Sequence, residues 1–238
     1  MKKLAILQSS YIPWKGYFDI IHSADEFMLL DDVQYTRHDW RNRNVVKGPQ
    51  GVRWLTISVD TEGKLTKLIN QIHATDPLWG KRHWEIIRYF YRKAPYFQLY
   101  AKPFGDLYLA NKDLALSHIN YRFISLIARI LGIKTKITWS TDYARRGRRS
   151  ERVVDLCLQA KATDYITGSS AKAYLDESLF SKRHIRVRWV DYSGYPQYQQ
   201  LYPPFVHTVS ILDLLFNEGP KAADYMKTFT RGNSFLSP

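Results

Sequence analysis

The chain has 238 residues, of which 45% are hydrophobic and 24% are charged, a balance that excludes a disordered polymer and suits one large folded domain. The formal net charge of +13 favours anionic partners, namely nucleic acid, acidic proteins or phosphorylated substrates, without choosing among them. The single cysteine, Cys157, excludes an intrachain disulfide, and no apolar run reaches the ~20 residues that a membrane helix requires. We therefore expect a cytoplasmic protein without a membrane span.

The first thirty residues predict a strand, a helix and a second strand. Residues 3–7 form a short apolar run, and residues 27–30 form another. Between them, Pro13 precedes apolar residues at helical spacing, which is a helix-start signal. Such a unit places its first loop, residues 8–13, at the carboxyl edge of a parallel sheet, where open α/β sheets bind their ligands.

The middle of the chain departs from the alternation of strands and helices. Residues 53–59 are rich in β-branched side chains and follow a turn signal at 48–51. Three helical segments are then predicted before residue 131, with Gly132 as the C-cap of the last. We interpret residues 78–132 as a helical insertion that could serve as a lid.

The alternation then resumes to the end of the chain. Strands are predicted at residues 136–139, 164–167 and 185–190, and helices at residues 150–160, near 171–180 and at 209–216. Ser150 is the expected N-cap of the first of these helices. The pattern predicts a single α/β domain over residues 1–238, with a mostly parallel, Rossmann-like sheet flanked by helices and interrupted by the insertion.

The first candidate cluster follows the first strand and comprises Gln8, Tyr11, Trp14 and Tyr17. The open N–H groups of a helix N-terminus suit an anionic ligand, and Gly16 would allow a ligand or backbone to approach closely. The alternative is that Trp14 and Tyr17 only pack the helix on the sheet.

The second cluster, Asp31, Asp32 and Gln34, follows the second strand and should reach the same edge of the sheet. Adjacent carboxylates are costly to bury without partners. They could bind a cation, act as a base, or hold a sugar hydroxyl or amine. Neighbouring residues in an extended chain point in opposite directions, so we expect one carboxylate to face the site. The alternative is a helix cap or an ion pair with Arg41 or Arg43.

The third cluster is Trp40, Arg41, Arg43 and Asn44. Arginine forks match phosphate or carboxylate geometry, and a neighbouring indole can stack on a base or a sugar. We expect this segment to bind ligand.

Two further groups complete the candidate site. Gly168 and Ser169 lie between a predicted strand and helix, where backbone N–H groups can stabilise an oxyanion or a phosphate. His207 is the acid/base candidate of the C-terminal half, although capping or packing explains it as well. The histidines show no metal-ligand spacing, so no metal is expected, and Cys157 is expected to be a buried structural thiol.

Several segments together resemble one known family. Residues 5–18, AILQSSYIPWKGYF, resemble the opening signature of the WbqC-like proteins, QPxYxPWxGYFxxI. The resemblance continues at residues 31–35, DDVQY, at 40–44, WRNRN, and at 210–219, SILDLLFNEG. It spans nearly the whole chain, with Ser9 standing where proline is usual.

The resemblance implies a role in polysaccharide or O-antigen biosynthesis. It suggests an enzyme that transfers an acyl or aminoacyl group, for example of the glycyl type, to the amine of a nucleotide-linked amino sugar. In such a reaction Asp32, Asp31 or His207 would serve as the base. No bound cofactor is expected, and the donor would be a carrier-linked phosphopantetheine thioester. The expected partners are a nucleotide sugar and an acidic acyl carrier protein.

Two alternatives remain open at this point. The arginine-rich residues 145–149 would allow a non-catalytic protein that binds nucleic acid or another polyanion, although no recognisable nucleic-acid module is present. A ligase related to nucleotidylyltransferases is the second alternative, because residues 14–17 occupy the position of the HxGH motif of those enzymes. The histidines of that motif are absent here.

Overall fold

A twisted, mostly parallel sheet organises the computed structural model, which describes residues 1–60, 67–110, 114–230 and 235–237. Its six strands follow the order β5-β2-β1-β6-β7-β8, and only β8 is antiparallel to its neighbour. These strands are β1 (Lys3–Leu7), β2 (Glu26–Leu29), β5 (Lys136–Trp139), β6 (Asp164–Gly168), β7 (Arg186–Val190) and β8 (Leu236–Ser237). A separate antiparallel hairpin pairs β3 (Arg43–Gly48) with β4 (Gly51–Thr56).

Seven α-helices accompany the sheet within the described residues. They are α1 (Lys15–Ser23), α2 (Trp79–Tyr91), α3 (Phe97–Leu109), α4 (Leu116–Ile130), α5 (Arg149–Gln159), α6 (Glu177–Ser181) and α7 (Ile211–Glu218). The predicted α/β class with a mostly parallel sheet is confirmed. Helices α2 to α4 fill the segment interpreted as an insertion, and Gly132 follows α4 with a φ of 72°, the left-handed conformation of a C-terminal glycine.

The sheet is buried on both faces because its strands alternate side chains between two cores. One core joins Leu4 and Met28 to Cys157 of α5 and Phe180 of α6. The other core is larger and contains residues of β1, β2, α1, α4 and α7, namely Ala5, Phe27, Phe18, Phe123 and Leu215. Burial raises the pKa of the Cys157 thiol to about 12, so this side chain is the structural thiol that was expected.

Three local predictions were wrong. The second half of the segment 53–59 is not strand, since β4 runs from Gly51 to Thr56 and closes a two-residue turn with Gly51 at a φ of 104°. The helix near 171–180 is a 3-10 turn at Ser169–Ala173 followed by α6, which begins after the N-cap Asp176. Ser150 does not cap α5, because its hydroxyl instead accepts a hydrogen bond from the Asp176 N–H.

None of the described helices has the length and apolar character needed to cross a membrane.

Candidate functional site

The strand order creates one position where loops diverge at the carboxyl edge of the sheet. From β1 the chain proceeds through β2 to β5 on one side, then returns to the other side of β1 as β6 and continues to β7. The adjacent strands β1 and β6 therefore send their following loops to opposite sides. In open α/β sheets the crevice at such a switch point is the usual ligand site.

A cleft of about 280 Å³ opens at this switch point. Leu7 at the end of β1 and Ser170 just after β6 both line it, which fixes its position on the sheet. Five of the predicted site residues also line it: Trp14, Tyr17, Trp40, Arg41 and Asn44. The structure thus brings two residues of the first candidate cluster together with three of the third.

The loop after β1 is held in place by hydrogen bonds from neighbouring segments. Asn44 donates its Nδ2 hydrogens to the carbonyls of Tyr11 and Ile12, at 3.0 and 3.1 Å. Ile12 has a φ of 37°, which is unusual for a β-branched residue. Tyr17 donates a hydrogen bond to the Gln8 carbonyl at 3.0 Å. The role of Asn44 and Tyr17 is therefore partly to shape the cleft wall.

Tyr11 lies outside the cleft. Its fully buried ring points towards α2 and α3, where its hydroxyl lies 2.8 Å from both His83 Nδ1 and the Tyr108 hydroxyl. Burial raises the pKa of Tyr11 and lowers the pKa of His83 to about 4. Tyr11 anchors the loop to the helical segment as neutral phenol.

Trp14 lies in an aromatic cluster at the start of α1. Its ring centroid is 5.2 Å from that of Tyr192 and 5.5 Å from that of Tyr195. A Cβ atom on Gly16 would come within 2.4 Å of the Trp14 ring. The glycine that was expected to admit a ligand or a backbone therefore accommodates this indole.

Arg41 provides a positive charge in the cleft. Its Nη1 donates to the Ser9 carbonyl at 3.0 Å, and its Nη2 lies 3.6 Å from Asp39 Oδ1. Asn120 of α4 donates hydrogen bonds of 2.9 Å to the Arg41 carbonyl and to Ser9 Oγ. These contacts fix both the backbone and the guanidinium of Arg41.

The two adjacent carboxylates have different environments. Asp31 is buried beside the cleft loop and accepts a 2.8 Å hydrogen bond from the Ser9 N–H. Burial raises its pKa, while hydrogen bonds and the nearby Arg41 act in the opposite direction. Asp32 accepts hydrogen bonds from Ser140 Oγ at 2.5 Å and from Arg152 Nη2 at 3.2 Å. Asp32 is therefore half of a buried ion pair and does not line the cleft.

Arg43 and Gln34 also lie outside the cleft lining. The Arg43 guanidinium carbon is 4.5 Å from the centroid of the Trp54 ring, and its Nη2 donates to the His38 carbonyl. Gln34 is exposed and forms an isolated antiparallel bridge with Leu68.

The remaining candidates lie close to the cleft in sequence. Gly168 ends β6 and Ser169 begins the turn whose next residue, Ser170, lines the cleft. His207 is exposed, with its ring 4.5 Å from that of Phe205, and precedes the cleft residue Thr208. Partial desolvation and the charge of Lys15 lower the pKa of His207 from its usual value, which favours the neutral imidazole.

Sequence reasoning missed three polar or aromatic residues of the cleft lining: Ser10, Tyr192 and Thr208. It also missed Lys15, a buried lysine whose Nζ donates to the Pro196 carbonyl at 3.1 Å and lies 4.8 Å from the Tyr195 ring centroid. Burial lowers the pKa of Lys15 to about 8, against the opposing effect of Asp19. The sequence carried a signal for Tyr192, because β6 and β7 are parallel neighbours and the loops that follow them reach the same edge of the sheet.

Several polar atoms around Arg41 are buried without a hydrogen-bond partner in the described part of the chain. They include Arg41 Nε and Asn120 Oδ1. Such atoms are rare in folded proteins, and a bound water, local strain or a functional role accounts for them. The described residues contain no group of three or more histidine, cysteine or acidic side chains arranged to hold a metal ion.

Comparison with known proteins gives a consistent assignment. No solved structure matches the chain. An uncharacterized protein of Mycobacterium tuberculosis, Rv1507c, is similar, with 45% identity over 229 residues that cover 95% of this chain and 98% of that protein. The model of the WbqC-like protein family matches residues 8–225. The chain therefore belongs to the WbqC-like protein family.

Proposed function

We propose that this protein transfers an acyl or aminoacyl group to the amine of a nucleotide-linked amino sugar in polysaccharide biosynthesis. The observation that carries the proposal is the cleft at the switch point, where Arg41 stands among the indoles of Trp14 and Trp40. A guanidinium beside aromatic rings suits a ligand that has both phosphates and a flat ring.

The reaction forms an amide at the expense of a thioester. The sugar amine attacks the carbonyl carbon of the donor, the new C–N bond forms, and the C–S bond breaks to release the carrier thiol. The amine must lose a proton, so a base is needed within hydrogen-bond reach of it. His207 suits this role because it adjoins the cleft residue Thr208 and its lowered pKa favours the neutral form that a base requires. Backbone N–H groups at Gly168 and Ser169 would stabilise the oxyanion.

The buried carboxylates receive supporting roles in this proposal. Asp31 holds the loop that Arg41 also contacts, and Asp32 neutralises Arg152. The donor would be a phosphopantetheine thioester on an acyl carrier protein, a partner whose acidic surface complements the net charge of +13.

The test combines purified protein with nucleotide-linked amino sugars and carrier thioesters of several acyl and aminoacyl groups. We expect one pair to give a sugar nucleotide heavier by the transferred group, together with free carrier thiol, both detected by mass spectrometry. His207→Asn should lower the transfer rate at least about 100-fold, the usual scale for a general base, without weakening nucleotide binding.

The matched control is His184→Asn, which changes an exposed histidine just before β7, at the opposite edge of the sheet. This variant should transfer at the wild-type rate. Absence of any product across the panel, together with no binding of any sugar nucleotide, would contradict the proposed function. Equal rates for the two variants would remove His207 from the mechanism and leave the transfer itself in place.

A further inference from the structure

Two half-exposed indoles pack against each other, and one of them lines the cleft. Trp40 is 43% exposed and Trp54 of β4 is 46% exposed. Their ring centroids are 5.4 Å apart with 30° between the ring planes, and the Arg43 guanidinium carbon lies 4.5 Å from the Trp54 centroid. Trp40 belongs to the cleft lining, whereas Trp54 does not. Trp54 and Arg43 thus form a support against which the cleft residue Trp40 rests.

Packing of the hairpin does not account for this arrangement. Leu55 supplies the buried side chain of β4, while Trp54 on the opposite face remains in contact with solvent. Val52, two residues earlier on the face of Trp54, is 53% exposed, so this face has little apolar cover. Large aromatic side chains that stay exposed as a group commonly mark a ligand-binding surface.

We infer that Trp40, supported by Trp54 and Arg43, stacks on the nucleobase of a nucleoside diphosphate whose phosphates bind Arg41. The inference rests on the proposed function and assigns the two ends of the nucleotide to different residues. Trp40 and Arg41 are adjacent in the chain and both line the cleft, so a stacking ring and a cation lie side by side, as base and phosphate do in a nucleotide. Trp14 is less suited because Tyr192 and Tyr195 already contact it.

This assignment changes the role that the sequence suggested for Arg43. Its planar group packs on an indole and donates to the His38 carbonyl, so it orders the stacking surface and does not bind phosphate. Trp54 and Arg43 are positioning residues, and only Trp40 contacts the base.

The experiment compares ligands with and without a nucleobase. The full chain is titrated in a calorimeter with UDP, dTDP and ADP, and separately with inorganic pyrophosphate, and the affinity for each ligand is measured. Trp40→Ala should weaken nucleoside diphosphate binding about tenfold or more, the scale of one lost base–aromatic stack, and leave pyrophosphate binding unchanged. Trp54→Ala should weaken the same ligands by a smaller factor, and Trp54→Phe should restore part of the loss. Arg41→Ala should weaken both kinds of ligand.

Val52→Ala is the control, because it removes apolar surface from the same face of β4 without touching the indole pair. It should bind every ligand as wild type does, and thermal melting of all variants reports that each is folded. The inference is overturned if Trp40→Ala weakens pyrophosphate and nucleoside diphosphates equally, or weakens neither, even where the transfer reaction itself is observed. Wild-type protein that binds none of these ligands would overturn both the inference and the proposed function.

Discussion

Asp31 and Asp32 show how neighbouring identical residues acquire different functions. The chain bends at Asp32 just after β2, and the two side chains have different partners: Asp31 contacts the cleft loop, and Asp32 contacts Arg152 of α5. Neither carboxylate lines the cleft, although Asp31 accepts a hydrogen bond from the loop that forms part of its wall. The sequence could not identify the partner of Asp32, since Arg152 lies 120 residues further along the chain.

The buried ion pair of Asp32 and Arg152 should stabilise the folded chain. Both side chains are almost fully buried, so Asp32→Ala removes the nearer carboxylate of the Arg152 guanidinium and leaves it only the longer, 3.9 Å contact with Asp155. We expect the free energy of unfolding to fall by about 3 kcal/mol, measured by urea denaturation. Asp106→Ala, which breaks the exposed pair with Lys102, should cost less than about 1 kcal/mol. A small loss in both variants would mean that Asp32 is not a structural residue.

Lys15 should make the stability of the folded chain depend on pH. Its pKa in the folded chain is lowered to about 8, so the unfolded chain binds more protons above that pH. The free energy of unfolding attributable to Lys15 should therefore rise with pH, by about 1 kcal/mol between pH 8 and 9. Denaturation at several pH values should show this rise in wild type and in Lys81→Met, an exposed control, and not in Lys15→Met. A rise that persists in Lys15→Met would exclude this lysine as its source.

At the scale of elements, buried strands were the easiest part to predict. The apolar runs of β1 and β2 are short and bounded by polar residues, a pattern that few other structures share. The hairpin strand β3 was interpreted only as a ligand-binding segment, because its arginine and asparagine conceal the alternation of a strand. Asn44 is both a residue of strand β3 and a residue of the candidate site, because its side chain holds the cleft loop.

The arginine-rich loop before α5 is an element that the cleft does not use. Arg145, Arg146, Arg148 and Arg149 are exposed, and the adjoining Ala144 is held by Arg152 and Gln159. Replacing the four arginines by serine should leave the affinity for UDP unchanged, because the loop does not line the cleft.

The same variant tests the polyanion-binding alternative. If the loop binds nucleic acid, wild type should bind random duplex DNA with a steep salt dependence, and the slope of log affinity against log salt should fall by up to about 4 in the variant. We expect weak DNA binding in both proteins, measured by fluorescence anisotropy over a salt series. Strong binding that the substitutions abolish would favour the alternative over the transferase.

For the whole molecule, the strand order explains which parts of the site were predictable. The segments around the start of α1 and the start of β3 carry distinctive side chains close together in sequence, and five of the predicted residues in these segments line the cleft. Tyr192 and Thr208 join the site only because β7 lies beside β6 and the following chain returns to the start of α1. Their contribution depends on contacts between distant segments, and no local pattern encodes such contacts.

Asn120 couples the helical segment to the cleft across this fold. Its side-chain amide donates hydrogen bonds to Ser9 Oγ and to the Arg41 carbonyl. Because Asn120 belongs to α4, a phosphate that immobilises Arg41 should also suppress the opening motions of α4. Hydrogen–deuterium exchange of the α4 amides should slow when pyrophosphate or UDP binds, while exchange in α5, on the other face of the sheet, stays constant. Asn120→Ala should uncouple the two, and unchanged exchange of α4 in wild type would contradict the coupling. Isotope uptake in one helix would then report ligand occupancy at a distance, before any substrate is known.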